Sequence, residues 1–247
     1  SYLHTDLFVN GIVPALGDTI VTLDLSGALD LRRISGIAQK ATCLREINLR
    51  GCRRIEAKSI LPVLKKARES LSVVILAGGV GLSKFPVDSL GECKKLHTLS
   101  LQGSVADTGL ANMCQGACRL SLTDVNISQC RFPKEELASL SHLKLLTNLN
   151  ISFVSSLRRA EEFKKVVNTG GFASLVSLNA SQNPGLSDSF AFAVRKGCAS
   201  LKRLSLSRTS LTNEGARGLR GMGITHLDLG YNPKVTDAGI IDLIPGL

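Results

Sequence analysis

A motif of twelve residues recurs along the chain and constrains its fold more than any other feature. The copy from Leu44 to Ile55 reads LREINLRGCRRI, and the copy that starts at Leu201 reads LKRLSLSRTSLT. Nine copies begin at Ile20, Leu44, Leu71, Leu96, Leu122, Leu146, Leu175, Leu201 and Ile224, at intervals of 23 to 29 residues. Because no linker interrupts the series, the sequence predicts one continuous domain over residues 20–247.

Each copy predicts a short strand followed by a helical segment. Apolar residues occupy positions 1, 4 and 6 of the motif, and positions 4 and 6, such as Leu204 and Leu206, lie on the same side of an extended strand. The later segments LTNEGARGL and VTDAGIIDL place Thr before Asn or Asp, which indicates the start of a helix. The sequence therefore predicts an α/β solenoid with parallel strands on its concave face and helices on its convex face.

Position 9 of the motif holds residues that are small or of medium size. They are Ala28, Cys52, Gly79, Ser104, Cys130, Val154, Asn183, Thr209 and Asn232. A side chain that turns inward just after a strand must fit a narrow space beside unpaired backbone groups. Asn can bond to those groups, and Cys fills the space as a small apolar residue. We therefore interpret Cys52 as a core residue rather than a reactive one.

On these motifs the sequence resembles the leucine-rich repeat family over essentially its whole length. The segments GECKKLHTLSL and KGCASLKRLSL, which carry Cys93 and Cys198, are similar to the cysteine-containing and ribonuclease-inhibitor-like subclasses. The resemblance implies a horseshoe-shaped solenoid that acts as a non-enzymatic protein-interaction or scaffold module, a subunit of a larger assembly. Two other roles known from the family stay open: substrate recognition in an F-box type ubiquitin ligase adaptor, and regulation or inhibition of a partner enzyme or GTPase.

The sequence predicts no enzyme, no cofactor and no metal site. The segment CQGAC, from Cys114 to Cys118, lacks the second pair of ligands that a zinc site needs. The four histidines lie in different repeats, which argues against a shared metal or a catalytic Cys–His pair. The segment AGGVG, which begins at Ala77, lacks the spacing of a phosphate-binding GxGxxG loop.

The formal net charge of +10 favours an acidic partner, such as an acidic protein or a ribonucleoprotein assembly. Strand positions on the predicted concave face hold five basic and four acidic residues, so most of the surplus lies elsewhere. Nucleic acid would meet little net attraction on that face and stays an alternative only for the basic convex or edge surface. We expect four basic residues near helix ends to dock the acidic partner: Lys65, Lys66, Arg195 and Lys196.

The middle of the predicted concave face is neutral and polar, and it includes Ser128 and Ser181. We interpret it as a hydrogen-bonding platform for a protein partner, and an ordinary solvated strand surface is the alternative. Its candidate binding residues are Asn126, Asn150 and Asn179, with Phe153 at the edge. Arg203, Arg208 and Tyr231 form a second candidate cluster near the C-terminal end, because Arg and Tyr often dominate binding energy.

Seven cysteines at irregular spacing predict free thiols in a reducing, intracellular compartment. The cytoplasm is favoured, and the nucleus and organelles stay open. No apolar run approaches the length of a membrane span. Residues 1–19 predict the helical half of a preceding repeat, and neither end of the sequence resembles a polar cap. We therefore expect the chain to be part of a longer protein or to have its ends covered by neighbours.

Overall fold

A computed structural model describes residues 11, 15, 19–38, 40–78, 85–104, 108–159, 161–168 and 171–243. The chain divides into two compact units, which we call unit 1 (Ser1–Leu122) and unit 2 (Thr123–Leu247). The predicted half-repeat over residues 1–19 lies outside the described residues except for three isolated positions. Of the helices in the described part, none has the length and apolar character that crossing a bilayer requires.

Unit 1 contains four short strands that pair in parallel and in chain order. The strands are β1 (Thr22–Asp24), β2 (Glu46–Asn48), β3 (Val73–Ile75) and β4 (Thr98–Ser100). The connections contain helices α1 (Ala57–Ala67) and α2 (Leu110–Gln115), and the 3-10 helices Ser35–Ile37, Ala41–Cys43, Val87–Glu92 and Ala117–Leu120. Equivalent motif positions lie side by side on neighbouring strands, as Leu23 pairs with Ile47, so the repeats are stacked in register.

Unit 2 repeats this arrangement with five parallel strands. They are β5 (Asp124–Asn126), β6 (Asn148–Asn150), β7 (Ser177–Asn179), β8 (Arg203–Ser205) and β9 (His226–Asp228). Its helices are α3 (Lys134–Leu137), α4 (Glu161–Asn168), α5 (Asp188–Gly197), α6 (Asn213–Gly218) and α7 (Asp237–Leu243), with 3-10 helices at Ala138–His142 and Ser155–Arg159. The nine predicted strands and the α/β repeat architecture are confirmed.

The core of each unit lies between its sheet and its helices. In eight of the nine strands the central residue is buried; Leu149 and Leu204 are only 3% and 2% exposed, so the predicted motif frame is confirmed. On the helical side of unit 2, Phe163 packs against Phe172 and Phe190 with ring centroids 5.5 and 5.9 Å apart. Aliphatic strand residues and a small aromatic cluster thus supply the apolar burial that holds unit 2 together.

The starts of successive helices in unit 2 are bonded to one another. The Thr212 hydroxyl caps α6 by accepting the N–H of Glu214, as the Thr–Asn pair in the sequence predicts. The carboxylate of Asp188, at the start of α5, accepts both the N–H and the hydroxyl of Thr212, at 2.8 and 2.7 Å. Asn213 makes the same kind of contact to the N–H of Thr236. Each helix start therefore positions the next one.

Candidate functional site

The position-9 side chains point into the core rather than towards a ligand. Cys52, Ser104, Cys130, Val154, Asn183, Thr209 and Asn232 are all buried. The Cys52 thiol donates to the carbonyl of Leu25 at 3.0 Å, and burial raises the pKa of that thiol. The interpretation of Cys52 as a core residue is confirmed.

The cysteines are free thiols, and six of the seven are buried. Burial raises the pKa of Cys93 and of Cys198 to about 12 and that of Cys118 to about 11, so these thiols are neutral at physiological pH. Cys43, unlike the other six, is exposed. The segment before β2 forms a short 3-10 helix at Ala41–Cys43 that buries Ala41 instead.

We expect Cys43 alone to react rapidly with a thiol reagent in the folded protein at mildly alkaline pH. The other thiols are shielded from the reagent, and three of them have strongly raised pKa values. Absorbance after adding Ellman's reagent should report one fast thiol per native chain and all seven after denaturation. A Cys43→Ser variant should lack the fast phase, and a second fast thiol in the native protein would contradict the burial of the others.

The three candidate asparagines on the strand face help to shape the turn after each strand. The side-chain oxygens of Asn126, Asn150 and Asn179 accept the N–H two residues further on, at 3.0, 3.0 and 3.1 Å. Asn126 and Asn179 also accept the hydroxyls of Ser128 and Ser181, which are buried. The expectation that these two serines belong to an exposed platform is wrong, because the turn rotates each one back onto its own strand.

Position 8, the next residue in each turn, has a left-handed backbone in every copy. In unit 1 it is always glycine: Gly27, Gly51, Gly78 and Gly103, with φ between 69° and 75°. In unit 2 it is never glycine: Gln129, Phe153, Gln182, Arg208 and Tyr231 have φ between 53° and 60°. We call these five residues the left-handed row. For such residues this conformation costs about 1 to 2 kcal/mol each.

Four of the five residues in the left-handed row have their backbone held by a bond to the next copy, whereas the side chains of the row are exposed. The N–H of Phe153 donates to the carbonyl of Ser181 at 3.0 Å, and that of Arg208 donates to Gly230 at 2.9 Å. Phe153 and Tyr231 are 58% and 77% exposed. Because neighbouring strands lie about 4.8 Å apart, the five side chains form one line along the sheet.

The structure brings some of the predicted binding residues together. The Arg208 guanidinium lies over the Tyr231 ring, 4.2 Å from its centroid, and Phe153 belongs to the same row. Gln129 and Gln182 also belong to the row, and the candidate binding residues predicted from the sequence do not include them. The signal that could have found them is the change from glycine to larger residues at position 8 between the fourth and fifth copies.

Arg203 lies beside the row, at an open depression of about 490 Å³ across β7, β8 and β9. Ser205, His226 and Asp228 are among the other residues that line it. Burial raises the pKa of Asp228, but hydrogen bonds from the Gly230 N–H and the Ser205 hydroxyl outweigh burial and hold that pKa below its usual value. The depression therefore presents an ionised carboxylate and a guanidinium, and Arg203 has no acidic partner within the described ranges.

The four basic residues predicted to dock an acidic partner lie in the last turns of their helices. Lys65 and Lys66 lie in α1, Arg195 and Lys196 lie in α5, and all four side chains are exposed. Arg195 donates to the carbonyl of Gly218 at 3.4 Å. Cations are favoured at helix C-termini. Their role in docking stays a prediction.

We expect glycine in the left-handed row to leave the fold intact. Gln182→Gly should change the free energy of unfolding by less than about 1 kcal/mol, because relief of backbone strain offsets the entropy that glycine gains in the unfolded chain. Gly51→Ala, the reverse change at the same motif position, should lower the free energy of unfolding by about 1 kcal/mol or more. Denaturant titration measures both. A larger loss for Gln182→Gly than for Gly51→Ala would contradict the strain argument.

Comparison with known proteins supports the same architecture. A family model described as leucine-rich repeat matches residues 197–219 and 224–243. The structure is similar to that of an internalin from Listeria monocytogenes, with a TM-score of 0.53 and 14% identity over 95% of this chain and 77% of the internalin. The structure is less similar to that of the complex of Rad7 and Elc1 in yeast, with a TM-score of 0.48 and 17% identity over 97% of this chain and 80% of the matched chain. No curated protein sequence gives a significant match.

Proposed function

Because this chain is a leucine-rich repeat protein, we propose that it is a non-enzymatic recognition module that binds a protein partner through the exposed strand face of unit 2. Solenoids of stacked repeats present extended surfaces that suit protein binding. We place the module in a larger assembly in a reducing, intracellular compartment, which agrees with its seven free cysteines.

The left-handed row is the observation that carries this proposal. Unit 1 has glycine at position 8 and so avoids backbone strain there. Unit 2 has larger residues at position 8 of five consecutive copies, and their left-handed backbone is strained. Apart from the Arg208–Tyr231 contact, the large side chains gain little inside the fold, since Phe153 and Tyr231 are mostly exposed. Strain that does not serve the fold tends to mark functional positions. We infer that these side chains are kept for contact with a partner.

The residue types of this surface indicate the chemistry of the partner. Tyr, Phe and Arg supply large rigid contact area and charged hydrogen bonds, and Tyr and Arg are enriched among the residues that dominate binding energy. Arg203 and Arg208 have no acidic partner in the part of the chain that the structure describes, so they are available to carboxylates. The depression at β7–β9 is shallow and open, which suits a protruding side chain better than a small molecule that must be enclosed.

The proposal is tested by capture from a native extract of the source organism, with quantitative mass spectrometry. We compare the wild-type protein with a Phe153→Gly and Tyr231→Gly double variant, which should fold normally, and with Phe192→Ala, an exposed aromatic position on α5, as a control elsewhere on unit 2. At least one protein should be retained by the wild type and the control and lost by the double variant. Equal capture by all three proteins would refute the proposal.

A further inference from the structure

The end of α1 in unit 1 forms a depression that the proposed binding face does not include. It has a volume of about 480 Å³ and is lined by Ala38, Pro62, Lys65, Lys66 and Arg68, with mostly carbon on its exposed surface. The stems of Lys and Arg supply carbon on any surface, but Ala38 and Pro62 add apolar side chains where the outward face of a solvated helix is normally polar. The depression therefore needs an explanation beyond the solvation of a surface helix.

Pro62 is the first indication of a function here. It lies inside α1, sixth of the eleven residues Ala57–Ala67, and its side chain is exposed. Proline has no N–H to donate to the carbonyl of Lys58, and it is the least favourable residue in a helix interior. Nothing in the packing of an exposed position requires it. A surface residue that is unfavourable for its own secondary structure tends to mark a functional site.

The charges around the depression give the second indication. Nearby basic residues are neutralised by ion pairs: Arg33 and Lys58 with Glu56, Arg68 with Glu69 and Glu92, and Lys94 with Glu69. Lys65 and Lys66 have no such pair among the described residues. Their place in the last turn suits the helix dipole. The dipole explains neither the carbon-lined surface between them nor the proline.

We propose that this depression binds an acidic segment of a protein partner that inserts one apolar side chain against Pro62 and Ala38. The carboxylates of the segment pair with Lys65 and Lys66, and the apolar side chain covers the exposed carbon. A nucleic acid fits less well, because none of the described residues that line the depression offers an aromatic surface for a base. The described residues that line this site all belong to unit 1, and none of them belongs to the surface proposed for unit 2.

The test uses two labelled peptides and fluorescence anisotropy with the whole chain. One peptide is a short run of Glu and Asp with a central Leu, and the other has Ala in place of that Leu. The Leu peptide should bind about tenfold more tightly, because only Leu fills the depression. Lys65→Glu with Lys66→Glu should weaken binding of the Leu peptide more than tenfold, and Pro62→Ala should narrow the difference between the two peptides.

Matched controls separate this site from general attraction to a basic protein. Arg220→Glu with Lys234→Glu reverses the same number of exposed charges in unit 2 and should change the affinity less than about twofold. Tyr231→Gly, which alters the proposed face of unit 2, should also leave peptide binding unchanged. Circular dichroism checks that each variant is folded. If charge reversal disturbs α1, the double variant Lys65→Gln with Lys66→Gln replaces Lys65→Glu with Lys66→Glu in the binding test.

Four results would overturn the proposal. They are the absence of peptide binding, equal affinity for the Leu and Ala peptides, equal loss in the two charge-reversed variants, and tighter binding of a single-stranded oligonucleotide of matched charge.

Discussion

Replacing Asn183 by alanine is expected to lower the free energy of unfolding by about 3 to 5 kcal/mol. The Asn183 side chain is only 2% exposed, and its amide connects the copy that begins at Leu146 to its own. Its oxygen accepts the N–H of Val154 at 2.9 Å, and its nitrogen donates to the carbonyls of Ile151 and Ala180, both at 2.9 Å. Alanine would leave these buried groups without partners, and each orphaned group costs about 1 to 3 kcal/mol.

Denaturant titration measures the loss, and the same motif position in the preceding copy supplies the control. Val154 fills position 9 with a buried apolar side chain that makes no hydrogen bond. Val154→Ala should therefore cost only about 1 to 2 kcal/mol, the contribution of two methyl groups and a small cavity. If Asn183→Ala costs less than Val154→Ala, the amide does not hold the two copies together as the structure indicates.

Replacing Leu149 or Leu204 by alanine is expected to lower the free energy of unfolding by about 2 to 5 kcal/mol. Each side chain is buried at the centre of its strand, so truncation removes apolar burial and leaves a cavity in a packed core. Arg203 is the matched control, because it precedes Leu204 in β8 and is exposed on the opposite side of the sheet. Arg203→Ala should change stability by about 0.5 kcal/mol or less.

Thermal or denaturant unfolding of the three variants tests the frame of the repeat. A loss below about 1 kcal/mol for either leucine variant, or a loss for Arg203→Ala that equals that of Leu204→Ala, would mean that the motif positions are misassigned.

The repeat itself could be predicted because leucine spacing encodes it directly. Burial at positions 4 and 6 follows from the alternation of an extended strand, and position 9 needs a small or amide side chain wherever the chain turns inward. The inward-facing positions of Asn183 and Cys52 therefore follow from the sequence alone. The prediction of a single continuous domain over residues 20–247 stays a prediction.

The candidate site could be predicted only in part, because it depends on backbone angles and on pairing. The left-handed conformation of Gln182 arises from the Asn179 side chain that caps the turn and from a bond to the Ser207 carbonyl in the next copy. Neither contact can be predicted from the conformational preference of glutamine or of its neighbours in the sequence. Likewise, the sequence shows that Lys66 and Arg68 are basic, but only the structure shows that Arg68 is paired with Glu69 and Glu92.

The most direct test of the central claim is photo-crosslinking from the left-handed row. A photoreactive benzoylphenylalanine replaces Phe153 or Tyr231 and, as a matched control, Phe192, an exposed aromatic residue on α5. The three proteins are irradiated in a native extract of the source organism. We predict that positions 153 and 231 crosslink to the same partner and that position 192 does not. Crosslinking from position 192 alone, with none from the row, would contradict the account.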